Sequence, residues 1–210
     1  MSYQKPRTRL FALLAAAALL PLAAIPSNAQ SARQLLSGST TLALDSGLVT
    51  GLTDSGVVVS SNAPATLNGT TAVFPVVSGG VDQDTLTGVV YHSGGITFTA
   101  SAENIVVTVS QLALVNALSG QPAQLYGLVT VNGKVAGLYP LFNITTRASL
   151  PLSGSTVTLP AIHVTLSSQG ASLLNNAFGF NGFSSGQVIG VASLQAAATT
   201  YIVPKTQPVQ

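Results

Sequence analysis

The chain has 210 residues, of which 47% are hydrophobic and only 6% charged, and it contains no cysteine and no tryptophan. An ordinary soluble domain carries about 25% charged residues, so this surface has to be built from Ser, Thr, Asn, Gln and Gly, with little charge repulsion to keep copies apart. The lack of cysteine excludes disulfides, thiolate nucleophiles and thiolate metal sites.

The N-terminus reads as a secretory leader. Lys5, Arg7 and Arg9 form a basic head, Leu10 to Leu22 an apolar run, and Ser27-Asn28-Ala29 supplies the small residues of a cleavage site between Ala29 and Gln30. That run is too short to span a bilayer, and no membrane span is expected once the leader is removed. Removing 29 of the 210 residues leaves 181, enough for one domain with a sizeable core. Four cations remain (Arg33, Lys134, Arg147, Lys205) against five acids (Asp45, Asp54, Asp82, Asp84, Glu103), a net charge of −1. The basic pI of about 9.2 therefore belongs to the leader. Nucleic-acid binding, which needs clustered cations, is excluded. Export without disulfides fits a bacterial secreted or periplasmic protein.

Beyond a lead-in at 30–39, residues 40–203 read as one β domain, followed by a tail at 204–210. Thr40 to Leu44 predicts a first strand, and Asp45 to Ser55 a short helix with Asp45 as N-cap and Gly56 as its stop. Val57–Ser60 and Thr71–Val77 predict strands around an Asn68-Gly69 turn, with Pro75 placing the second at an edge or bulge. Thr85–Tyr91, Ile96–Ala100 and Asn104–Leu114 follow, divided by Ser93-Gly94-Gly95 and Ser101-Ala102-Glu103. In the last of these, Ile105, Val107 and Val109 are out of phase with Leu112 and Leu114, which predicts a bulge near Ser110-Gln111. Asn132-Gly133 between two β runs predicts a type I′ hairpin. Ser155–Leu166 switches phase at Pro160, which again predicts a bulge. Ala171–Phe178 is the best helix candidate of the β domain, and Gln187–Gln195 the last strand. Many short antiparallel strands with one or two short helices predict an all-β fold, an antiparallel sandwich or distorted barrel.

Few residues carry chemistry. Gly182-Phe183-Ser184-Ser185-Gly186 matches the G-x-S-x-G elbow, but a helix precedes it, a strand follows, and both histidines come earlier in the chain, so no catalytic residue is assigned. Asp82-Gln83-Asp84 offers too few oxygens for calcium and reads as a turn, so no metal site is assigned. His163 falls on the strand face opposite Ile162 and Val164, toward solvent. Tyr91-His92-Ser93-Gly94-Gly95 is the candidate binding site. Either ring could ligate a metal or a haem iron, yet adjacent strand residues point to opposite faces, so both cannot serve one site without a bulge.

Phe74-Pro75-Val76, Gly79-Gly80, Thr85 to Val90, His92 to Phe98 and Val106 to Ser110 follow one another as strand, H-x-G-G turn and strand. Over about Phe74 to Val131 this layout resembles the HtaA-type domains of secreted and surface proteins of actinobacteria. The resemblance implies an exported β domain, and haem as the ligand of some members, held by a tyrosine from an N-terminal aromatic segment with histidine support. Here nothing from Gln30 to Ala72 is aromatic; only His92 falls on a motif position, with Tyr91 as its neighbour.

The residues thus predict a non-enzymatic exported β domain acting by binding, or by association with a surface or matrix component or with itself. They call for no cofactor, haem being the one the resemblance raises. Capture of haem or a small ligand at Tyr91-His92 predicts an apolar pocket beside that turn. A fibre or coat subunit predicts a long unprotected edge strand.

Overall fold

A computed structural model of the chain describes residues 29–82, 87–116, 122–145 and 154–204. The leader before Ala29, Gln83 to Leu86, Arg147 and Lys205 lie outside them, and with them part of the Asp82-Gln83-Asp84 turn and of the run carrying the resemblance. The elements are β1 (Ala29–Leu44), α1 (Ser46–Asp54), β2 (Val57–Asn62), β3 (Thr66–Asn68), β4 (Thr71–Asp82), β5 (Gly88–His92), β6 (Gly95–Ala100), β7 (Ile105–Asn116), β8 (Ala123–Val131), β9 (Lys134–Thr145), β10 (Thr156–Leu166), α2 (Ser168–Phe178) and β11 (Val188–Pro204).

Eight strands close an antiparallel barrel in the order β1, β4, β5, β7, β8, β9, β10, β11 and back to β1. The remaining three hang on its wall: β6 continues β5 along the first half of β7, β2 pairs with β6, and β3 pairs with the start of β4. Of the two alternatives read from the sequence, the barrel is the fold. Closure removes many edges; among the described residues β2 and β3 lie at the margins, and β9 and β10 pair with each other only over Phe142–Thr145 and His163–Leu166, so the earlier part of each has no strand partner on that side.

Local chemistry explains the irregularities. Gln111 takes a φ of 50° where the β7–β8 register shifts between Ser110 and Ala113, and Ala161 takes 52° where β10 shifts against β11 between Leu159 and Ile162. Each bulge returns the apolar residues beyond it to the interior, as the phase switches predict. Asn132 (φ 50°) and Gly133 (φ 75°) make the left-handed turn that joins β8 to β9. Pro75 sits where β3 has ended, at Val73, and β5 has not begun, at Val76, so the ladder loses no donor there.

The largest differences from the sequence reading are at the two ends of the domain. β1 begins at Ala29 rather than Thr40, and β11 runs on to Pro204, because Ala29–Leu44 and Val188–Pro204 pair along their full lengths. The polar lead-in hides this, since its inward positions include Arg33, which is only 3% exposed. Its Nη1 donates to Thr200 Oγ1 (2.9 Å) and its Nη2 to the Gly154 carbonyl (2.6 Å).

Both helices sit where the barrel needs a cover. Asp45 caps α1 by accepting from the Leu48 N–H at 3.0 Å. The helix buries only Leu48 and Leu52, and Gly51 in its interior faces open space. Gly51→Ala is therefore expected to raise stability by about 0.5–1 kcal/mol, read as an increased denaturant midpoint. α2 starts three residues earlier than its apolar pattern suggests because Ser167 caps it. The Ser167 Oγ accepts from the Gly170 N–H (2.9 Å) and donates to the Pro140 carbonyl (2.5 Å), tying the helix to β9. Ser167→Ala leaves both groups without that partner and is expected to cost about 2 kcal/mol in urea denaturation.

Candidate ligand cavity

Strands β5 and β6 are one strand broken at Ser93-Gly94, and that break positions His92. The Ser93 N–H bonds the Pro75 carbonyl at 3.0 Å. Gly94 adopts a φ of +79°, and a Cβ there would lie 2.2 Å from the Ala65 nitrogen, so only glycine fits. Immediately before the break the strand pleat holds. Tyr91 points outward and is 48% exposed, while His92 points inward and is 7% exposed. The register shift between Val76 and Ser78 lies on β4 and does not bring the two rings to one face.

Inside, His92 Nε2 lies 2.8 Å from the Thr40 hydroxyl of β1. Its Nδ1 is buried with no hydrogen-bond partner of good geometry. Burial pushes the His92 pKa down from 6.5 to about 4, opposed only weakly by the nearby Leu112 backbone, so the ring is neutral at pH 7.

This pair stands on the wall of an interior cavity of about 110 Å³. Leu112, Leu141 and Ile162 line it from the strands, Leu48 and Leu52 from α1, and Leu174 from α2. Thr40 and His92 are the only lining residues with a polar side chain, and their polar atoms contribute almost nothing to the wall. No lining residue is exposed. Phe183 closes the α2 side, stacked on Phe180 and tilted against Phe178 with ring centroids 5.6 and 6.1 Å away. Asn175 holds Phe183 in place through two 2.9 Å bonds to its backbone. The glycine-serine segment is thus a structural loop that seats an aromatic plug, and its Ser184 is exposed.

A second, open groove of about 580 Å³ lies on the other side of the turn, with Tyr91, Val77, Ser78, Asn62 and Gln111 on its walls and His92 at its back. His92 therefore stands between a closed apolar interior and an open outer groove. His163 is exposed and pairs with Thr145 and Val191, on strands away from the Tyr91-His92 turn. Asp82 is buried and engaged at the end of β4. No group of three or more His, Asp or Glu residues able to hold a metal occurs among the described residues.

Thr40 is the site residue that the sequence reading missed. Its signal was available, because strand alternation puts Thr40 on the inward face with Leu42 and Leu44, where a lone hydroxyl needs a partner.

No family model and no curated protein matches the chain. Solved structures do. The C-terminal domain of HtaA from Corynebacterium glutamicum is 17% identical, with 80% of this chain and 99% of that domain covered at a TM-score of 0.63. A domain-swapped dimer of a variant of that HtaA domain, also 17% identical, covers 75% of this chain and 90% of its own at 0.50. The heme binding protein HtaB of the same organism is 13% identical, with 82% and 99% covered at 0.58. Beyond the run from Phe74 to Val131 that first suggested it, and over four-fifths of its length, the chain has the fold of the HtaA-type domains.

Proposed function

We propose that this is an exported, non-enzymatic domain that binds a ligand in the apolar cavity behind His92. The observation that carries the reading is the cavity itself, a leucine-walled space covered by two capped helices, with one neutral imidazole on its wall. Binding sites are concave and mostly apolar, with a few placed polar groups. Catalysis would require a second titratable group in reach of the first, and His92 has only a threonine beside it. Export rests on the leader ending at Ala29. No helix among the described residues is long and apolar enough to cross a membrane.

Haem is the second reading, favoured by the shared fold with a heme binding protein. The interior residues do not fit it. No tyrosine lines the cavity, His92 Nε2 is engaged by Thr40, no cation lines it for the propionates, and 110 Å³ is far too small for a haem. The outer groove has the room, and Tyr91 is the exposed ring donor on its wall, with His92 behind it. A haemin titration followed by absorbance, with Tyr91→Phe and His92→Ala alongside, separates these cases. A saturable Soret shift lost in Tyr91→Phe would place haem in the outer groove and displace the first reading. A shift lost only in His92→Ala would make His92 the iron's ligand and would likewise displace the first reading. The expected result is a flat, non-saturating response in all three proteins.

Association with a surface component, or with a second copy, is the remaining role for so weakly charged an exterior. The domain-swapped relative illustrates that this fold can exchange elements between copies.

A further inference from the structure

Resting on the cavity reading above, we propose that the ligand is an uncharged, metal-free, largely hydrocarbon molecule about the size of one aromatic ring.

Three features of the wall lead there. The first is charge. No Lys, Arg, Asp or Glu lines the cavity, and the one titratable ring on it is neutral at pH 7. A carboxylate or ammonium entering would lose its hydration and find no counter-ion, so charged ligands are rejected. The second is hydrogen bonding. Thr40 and His92 bond each other at 2.8 Å, and their polar atoms are almost absent from the surface a ligand would meet. A ligand rich in polar groups would leave them unpaired. The third is size. An engineered apolar cavity of about 150 Å³ stays dry and takes up benzene, and the 110 Å³ here lies just below that. A natural core is normally packed without voids of this size, so an apolar guest restores contacts that the empty wall lacks.

The test titrates the purified protein at pH 7 with toluene, phenol, benzoate and haemin, following methyl resonances by NMR. Saturable shifts from toluene and phenol are expected at cavity methyls such as those of Leu112, Leu141 and Ile162, with benzoate binding at least tenfold more weakly. Ala192→Leu, which adds three carbons at the wall, should abolish the shifts. Should that variant fail to fold, the map of shifted methyls in the unaltered protein decides. Benzoate binding as tightly as toluene would overturn the inference. Haemin shifting the same methyls while toluene does not would overturn it too, yet leave the cavity as the binding site. No shift from any of the four would remove the cavity reading itself, and this inference with it.

Discussion

Taking the protein from pH 7 to pH 4 is expected to remove about 3 kcal/mol of stability through His92 alone, following its pKa fall from 6.5 to about 4 on folding. The sign follows from where the proton binds. Above pH 6.5 both the folded and unfolded chains hold the ring neutral, and His92 contributes no slope. Between pH 6.5 and 4 the unfolded chain takes up a proton that the folded chain refuses, so the unfolded state gains. Below pH 4 both states are protonated and the loss levels off. No other acid or base lines the cavity to share this titration. His92→Gln keeps a side chain able to bond Thr40 but cannot titrate. Urea denaturation at pH 7 and pH 4 on both proteins isolates the effect, because the carboxylates contribute equally to each. Equal acid losses in the two proteins would mean that His92 reaches water in the folded state.

The desolvation that holds His92 neutral is also what makes the cavity hostile to charged ligands. One physical cause therefore links an acid-stability measurement to ligand choice. It also distinguishes the two sides of the turn, since Tyr91, one residue away, faces a groove walled by Ser78, Asn62 and Gln111.

Local features of this fold could be read from residue types, whereas closure could not. Asp45 as a cap, Asn132-Gly133 as a turn, and the phase switches at Ser110-Gln111 and Pro160 each depend on neighbours within a few residues, and the structure has all four. The barrel closes through Ala29 pairing with Pro204 at opposite ends of the chain, which no local pattern encodes. The first ten residues of the domain also look unlike a strand, because their inward Arg33 finds its partners at Thr200 and Gly154, both remote in sequence. The site divides the same way. His92 stood out by its place before a glycine turn. Its partner Thr40 lies 52 residues earlier, and the leucines that complete the cavity come from both helices and from strands on every side of the barrel.

Leu141→Ala is expected to cost about 4 kcal/mol, in the upper half of the 2–5 kcal/mol range for buried leucines. Leu141 is 1% exposed and lines the cavity, so truncation enlarges a void that already exists. The surroundings cannot collapse into it. The neighbour facing its Cδ1 is Gly127, which has no side chain to swing inward. The Leu141 carbonyl accepts the Ser167 N–H at 2.9 Å and abuts Gly170, so the backbone is fixed by the start of α2. The loss should appear as a lower urea midpoint with an unchanged m-value. Leu36→Ala, at a side chain 53% exposed, is the control and should stay within about 0.5 kcal/mol. The enlarged cavity also gives the variant a ligand-dependent signature. A ring-sized apolar guest that binds only the folded state restores stability as RT ln(1 + [L]/Kd), about 2.7 kcal/mol at a hundredfold excess over Kd. Toluene should therefore raise the midpoint of Leu141→Ala more than it raises that of Leu36→Ala. If it raises neither, the interior behind His92 admits no such guest.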